Sequence, residues 1–271
     1  MLRAEIIRLL KQTGLKPQTA AGQHFLLDES VVAKMIKAAE IVAGDRVLEI
    51  GPGFGVLTGA LLNAGAEVVA VELDQRLALY LKKQYRHHPG LTLVTGDIFK
   101  VKLDDYVQDR DYKLVANLPY SATSLVFRNF LTLPPRPTSL TVMIQREVAR
   151  RITARPGEHS VLSVISQYYA AIEPVMDVPP ELFFPMPAVV SSIIHCHDLR
   201  TPDPVEEKSF LRMVKIGFSA RRKQLKNTLS AGLKIPASQV EETMMKLGLS
   251  SQDRAQDLHI QDWLKLAKTF I

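Results

Sequence analysis

The sequence predicts an α/β protein: a mostly parallel sheet of seven strands, with a small all-helical domain after it. Three observations predict it. Between Arg46 and Cys196, short apolar, β-branched runs alternate with helix-spaced segments, the pattern of strand–helix–strand units joined by right-handed crossovers. The run Val47–Thr58, Val-Leu-Glu-Ile-Gly-Pro-Gly-Phe-Gly-Val-Leu-Thr, reads as a buried strand, a Gly-rich turn and the start of a helix. Beyond Thr201-Pro202-Asp203-Pro204, a linker by composition, no strand-like run remains.

The elements follow in order. A short amphipathic helix carries Ile6, Ile7, Leu9 and Leu10. Asp28 or Ser30 then caps a helix through Val31, Val32, Met35 and Ile36. Strands are expected at Arg46–Ile50, Val68–Glu72, Leu91–Thr95, Lys113–Ala116 and Leu140–Ile144, with helices between them. Helices are also expected at Gln145–Arg155 and Ser160–Ala170. Ile172–Val178 and Ser191–Cys196, joined without a helix, predict an antiparallel hairpin at one edge. Val205–Phe218, Gln224–Ala231, Ser238–Leu247 and Ile260–Ile271 suit helices. The expected domains are 1–200, with an N-terminal arm at 1–29, and 201–271.

Composition narrows the class. A chain of 271 residues holds one large domain and a small one. Its net charge of +6 makes nucleic acid a candidate partner. The single cysteine, Cys196, allows no internal disulfide and fits a reducing compartment. No apolar run is long enough to span a membrane, and Lys11 follows Leu9-Leu10 too soon for a signal-peptide core. A cytoplasmic protein with no membrane partner is therefore expected.

In a parallel sheet, ligands sit beyond the carboxyl ends of the strands. There lie Gly51, Gly53 and Gly55, then Glu72, Asp97 and Asn117. The run G-P-G-F-G is not the dinucleotide spacing G-x-G-x-x-G, and no Lys-Ser/Thr makes it a P-loop. With Glu49 before it, it suits a cofactor that lacks phosphates and carries positive charge. S-adenosylmethionine has a sulfonium and an ammonium; a plain packing turn is the competing reading. Glu72, about 20 residues on, can accept both hydroxyls of a ribose. Asp97 can accept from an adenine amino group. Asn117-Leu118-Pro119-Tyr120 offers a side-chain acceptor, a turn carbonyl and a ring on which an extruded base can stack. Taken singly, it also suits an ordinary turn after a strand.

Together these segments resemble the ribosomal RNA adenine N6-dimethyltransferase family, nearly end to end. The resemblance covers Gly22-Gln23-His24-Phe25-Leu26 with Asp28, Glu49–Thr58, Glu72, Gly96-Asp97, Asn117–Tyr120, the Leu162–Tyr169 helix and Val178-Pro179-Pro180 through Phe183, Pro185 and Pro187. It continues through Arg221-Arg222-Lys223 and Arg254-Ala255-Gln256-Asp257-Leu258, which look like the KsgA type more than the Erm type. The resemblance implies a Rossmann-like S-adenosylmethionine-dependent methyltransferase sheet of seven strands with a helical domain appended. It implies cofactor contacts from Gln23, His24, Leu26, Gly51, Gly53, Glu72, Asp97 and Asn117. The catalytic residues it implies are Asn117, Leu118, Pro119, Tyr120 and Phe183. Arg221, Arg222 and Lys223 are implied to grip folded RNA. The implied reaction is dimethylation of two adjacent adenosines near the 3′ end of small-subunit rRNA, during biogenesis of the subunit. The implied partner is the immature small subunit, and the protein is expected to be a monomer with no metal.

Two departures stand out: His24 where Asn is more usual, and Ala188 and Val190 where the family tends to carry charge. His195-Cys196-His197 suggests a metal, but on a strand the two histidines share one face and the cysteine the other. The competing functions are an Erm-type large-subunit resistance methylase, an RNA-binding assembly factor with secondary methylation, and a dinucleotide-dependent oxidoreductase.

Overall fold

The computed structural model describes residues 3–17, 22–107, 111–220 and 222–270. The chain forms two compact units, Met1–Ala149 with Glu173–Leu199, and Arg150–Ile172 with Arg200–Ile271.

The first unit begins with α1 (Arg3–Thr13), β1 (Phe25–Leu26) and α2 (Glu29–Ala38). Then come β2 (Arg46–Ile50), α3 (Val56–Asn63), β3 (Glu67–Glu72), α4 (Gln75–Gln84), β4 (Leu91–Thr95), α5 (Asp104–Val107) and β5 (Lys113–Asn117). After α6 (Thr123–Thr132) and β6 (Ser139–Gln145) the chain runs through α7 (Arg146–Ile152) and α8 (Val161–Tyr169), then β7 (Ala171–Val178), β8 (Phe183–Phe184) and β9 (Ser191–His197). The seven-stranded sheet has the order β4-β3-β2-β5-β6-β9-β7. Strands β2 to β6 pair in parallel, and β9 runs antiparallel to β6. The central strands are covered on both sides: Val47, Leu48, Leu114, Val115 and Ala116 are fully buried, which is why they read as continuous apolar runs rather than alternating ones.

The two late strands form the far edge of the sheet, with β9 inside and β7 outermost. Between them lies an element the sequence reading did not contain. Strand β8 leaves the sheet and pairs antiparallel with β1, Phe25 opposite Phe184 and Leu26 opposite Phe183. Leu27 N–H extends the pairing to Leu182 O at 2.8 Å. Asp28, not Ser30, caps α2: its Oδ1 accepts from Ser30 N at 2.8 Å and Val31 N at 3.1 Å.

The second unit holds α8 with α9 (Pro204–Gly217), α10 (Leu225–Leu233), α11 (Ala237–Lys246) and α12 (Ile260–Phe270). The domain border expected at residue 200 is therefore incomplete, because 150–172 clusters with the C-terminal helices. The cause is specific packing. Tyr168 stacks on Phe210 with ring centroids 3.8 Å apart, and its hydroxyl donates to Glu206 at 3.1 Å. Gly157 and Gln256 exchange hydrogen bonds at 2.8 Å, and His159 Nδ1 meets Leu258 O at 2.9 Å. The Arg254–Leu258 segment is thus a clasp on the 150–172 stretch.

Within this unit α9 and α12 meet where a glycine has no side chain. A Cβ on Gly217 would lie 2.3 Å from Trp263 Cη2, and the indole is fully buried. Neither side can yield cheaply, because the interior is close-packed. Gly217→Ala is expected to destabilise this unit by about 2 kcal/mol. A thermal midpoint equal to that of the unaltered protein would refute the contact.

Candidate active site

The sheet order reverses between β2 and β5, and the carboxyl ends of these strands and of β3 open on one cleft. The Gly turn forms its floor. Gly51 N–H is held by Val71 O at 2.9 Å, so the turn is anchored to the neighbouring strand. Gly55 caps α3 with φ +82°, where a Cβ would also strike Leu81 Cδ2 at 2.7 Å. Tyr85 Oη donates to Gly55 O at 3.0 Å and fixes the far end of the turn.

Two carboxylates sit beneath and beside this turn. Glu72 is buried; its Oε2 accepts from Gly53 N at 3.0 Å and its Oε1 from Asp74 N at 2.9 Å. Burial raises its pKa, against the pull of those N–H groups. Glu49 is more extreme. It is 1% exposed, accepts a hydrogen bond from Thr58 Oγ1 at 2.7 Å, and burial pushes its pKa up to about 8. Both acids line the cleft. Glu72, about 20 residues after the Gly turn, is placed to accept ribose hydroxyls, so the lining fits a nucleoside-bearing cofactor.

The N-terminal arm and the β5 turn complete the lining. Gln23, His24 and Leu26 line the cleft, as do Asn117, Leu118, Pro119, Tyr120 and Phe183. Asn117 Nδ2 donates to His24 O at 3.4 Å, which turns its Oδ1 away from the arm. His24 Nδ1 meets Pro185 O at 2.6 Å, and its ring lies 5.7 Å from that of Tyr120. Tyr120 Oη is paired with Ser191 Oγ at 2.9 Å, so the ring is held at both ends. The arm reaches this position through Gly22: a Cβ there would fall 2.8 Å from Tyr120 N.

Residues 14–271 match the family model described as ribosomal RNA adenine dimethylase. The chain belongs to this family. Curated relatives named ribosomal RNA small subunit methyltransferase A include one from Dehalococcoides mccartyi strain CBDB1, 37% identical over 98% of this chain and 92% of the relative. Another, from Synechocystis, is 37% identical over 93% of this chain and 95% of its own length. Among solved structures, the 23S rRNA methyltransferase ErmE superposes with a TM-score of 0.77 at 27% identity, covering 91% of this chain and 99% of that one. A dimethyladenosine transferase from Plasmodium falciparum superposes at 0.78 with 24% identity, covering 91% and 97%, and shows the shared fold. This dimethylase is an S-adenosylmethionine-dependent methyltransferase.

The remaining expected residues divide. Gly51 and Gly53 line the cleft, whereas Asp97 does not. It lies beyond β4, where its Oδ1 accepts from Phe99 N at 3.1 Å and its Oδ2 is 3.9 Å from Lys100 Nζ. Arg222 and Lys223 are exposed ahead of α10, and Arg221 lies outside the described residues. Lys226, the last charge of that cluster, is committed to Glu241 at 3.0 Å. On β9, Cys196 is fully buried and its thiol is pushed up to about 12, while His195 and His197 stack 5.5 Å apart on the other face. His195 Nδ1 meets Thr141 Oγ1 at 2.8 Å. No cluster of three metal-ligating groups occurs among the described residues.

The sequence reading missed Thr58, Phe25, Phe54 and Tyr85 as builders of the site. The signal for Thr58 was there: a hydroxyl in the first turn of α3, on the face that packs back on Glu49. The two phenyl rings, 4.6 Å apart, seal the cleft from below, and Phe25 lies against Gly53, where a Cβ would be 3.3 Å from its ring.

Glu49 gives a pH test. Its folded pKa lies above its unfolded one, so the folded state binds more protons between roughly pH 4.5 and 8. Stability from this group is complete below the lower limit and is lost as pH rises through about 8. The ligand-free protein is expected to lose thermal stability between pH 6 and pH 9, with Glu49→Gln flattening the profile. Parallel profiles for the two proteins would remove Glu49 as the cause.

Proposed function

We propose that this enzyme dimethylates the N6 amines of two adjacent adenosines near the 3′ end of small-subunit rRNA, in the immature subunit. The observation that carries the reading is that one cleft is lined both by the buried carboxylates Glu49 and Glu72 beside the Gly turn and by Asn117 with the Leu118-Pro119 turn.

The cofactor supplies an electrophilic methyl on a sulfonium. Everything else is positioning. Glu72 would hold the ribose hydroxyls, and Gln23, His24, Leu26, Gly51 and Gly53 would enclose the rest. We place Asp97, beyond the carboxyl end of β4, at the adenine end. An adenine amine is a poor nucleophile because its lone pair is delocalised into the ring. The Asn117 Oδ1 would accept one N6–H. The Pro119 carbonyl already holds Ala122 N at 2.9 Å, so the Leu118 carbonyl is the turn's acceptor for the second. Holding both hydrogens draws the nitrogen towards sp³ and frees its lone pair. Held in this way, the amine would take the methyl that the cofactor supplies, the bonding pair staying with the cofactor's sulfur and the displaced N6 proton leaving to water. Tyr120 and Phe183 would clasp the extruded base between ring faces. A tertiary product needs two rounds, so the same pocket must admit a mono-methylated amine.

Arg222 and Lys223, with Arg221, would contact RNA phosphates from the helical unit. We place the enzyme in the cytoplasm as a monomer; no described helix is long and apolar enough to cross a membrane.

Incubation of unmethylated small subunits with the protein and S-adenosylmethionine is expected to yield dimethyladenosine in the 3′ region of the rRNA, read by mass spectrometry of nuclease fragments. Asn117→Ala should lower kcat by a factor of about 100 or more while leaving RNA affinity within threefold. Modification appearing on large-subunit rRNA instead would favour the resistance-methylase reading.

Arg222→Ala with Lys223→Ala is expected to weaken RNA binding and to reduce the slope of log affinity against log salt by about 2. An unchanged slope would remove the cluster from the phosphate contacts.

A further inference from the structure

The β1–β8 pair has two faces. Successive strand residues point to opposite sides. Phe183 and Leu26 point one way and line the cleft; Phe184 and Phe25 point the other, Phe25 reaching the cleft beside Gly53 and Phe184 standing clear of it. On that outer side lies a second groove. Ile7, Leu10, Leu15, Pro17, Phe184 and Pro185 form its apolar lining. Lys11 and Lys16 stand at its rim, both exposed, and the Arg3 guanidinium lies over the Phe184 ring at 5.4 Å. No carboxylate lines it among the described residues.

The groove and the cleft share one wall. His24 Nδ1 meets Pro185 O at 2.6 Å, so a residue of the cleft is hydrogen-bonded to a residue of the groove. An aromatic and apolar floor with a purely cationic rim is the chemistry of a single-stranded nucleotide subsite. The base stacks or packs on the floor and its phosphates meet the lysines.

We infer that this groove binds a nucleotide flanking the acceptor adenosine on the same RNA strand. The inference rests on the rRNA reading above and adds a subsite to it. The floor of Phe184 and Pro185 would take the base. Lys11, Lys16 and Arg3 would take the adjoining phosphates. When the acceptor base is extruded into the cleft, the strand beside it must cross the β1–β8 wall or run along it. This groove is the apolar, cationic surface on the far side of that wall. Charge complementarity selects RNA over a protein segment: an apolar peptide has no use for three cations.

The test uses Lys11→Glu with Lys16→Glu, two exposed positions outside the cleft, assayed on unmethylated small subunits. The expected result is a KM for the subunit raised about tenfold, as for two lost phosphate contacts, with kcat and the dissociation constant for S-adenosylmethionine within twofold. Ultraviolet cross-linking of the unaltered protein to those subunits should place nucleotide adducts on peptides carrying Lys11, Lys16 or Phe184. If the unaltered protein methylates the rRNA but the double variant keeps its KM, the subsite is wrong and the rRNA reading stands. If the unaltered protein transfers no methyl to rRNA, both fall. Cross-links from the groove to a ribosomal protein, with none to RNA, would overturn the inference in favour of a protein partner.

Discussion

The pairing of β1 with β8 is the constraint on which the site depends. It joins residues some 160 positions apart in sequence, Phe25 to Phe184 and Leu26 to Phe183. A two-residue ladder has no independent stability in water. This one holds because its side chains enter two separate cores. Leu26 and Phe183 pack with Val31, Met35, Leu57 and Leu61 under the sheet. Phe25 and Phe184 pack with Ile6, Leu9, Phe54 and Leu77 beneath α1. Each residue fully buried in this way contributes on the order of 2 kcal/mol. Those cores fix the arm, and the arm in turn supplies Gln23, His24 and the partner of Asn117.

Against that wall the electrostatics are deliberately unbalanced. Thr58 Oγ1 is the hydrogen bond that offsets Glu49 burial, and two backbone N–H groups do the same for Glu72. Neither acid has a cation within salt-bridge distance among the described residues. Burying unpaired carboxylates costs stability and raises their pKa values. Glu49 meets that cost by keeping its proton up to about pH 8, and Glu72 by accepting from the N–H groups of Gly53 and Asp74.

The parallel sheet was legible because its strands are buried on both faces and its helices keep their period. Glu72 and Asn117 were legible because strand ends face the ligand in such a sheet. Strand β8 was not legible: two residues flanked by prolines carry no periodicity, and their partner lies far off in the chain. The clasp between Arg254–Leu258 and 150–172 was hidden for the same reason, since its hydrogen bonds are non-local. Asp97 stands at the same kind of strand end, and its Oδ1 also accepts from Phe99 N in a local turn, a use of Asp that sequence position cannot distinguish from ligand binding.

The departures at Ala188 and Val190 can now be given a physical meaning. Val190 O accepts from Arg146 N at 3.0 Å, and Arg146 reaches Asp177 at 3.7 Å. These anchors need only the backbone of Val190, so the loop keeps its path whatever side chain stands there. What changes is the surface: Met186, Ala188 and Val189 are exposed and uncharged. A loop of that kind can pack on a base but cannot neutralise a phosphate. On the proposed rRNA reading, charge for the RNA backbone would come from elsewhere on the protein, where Lys11, Lys16, Arg222 and Lys223 are exposed cations.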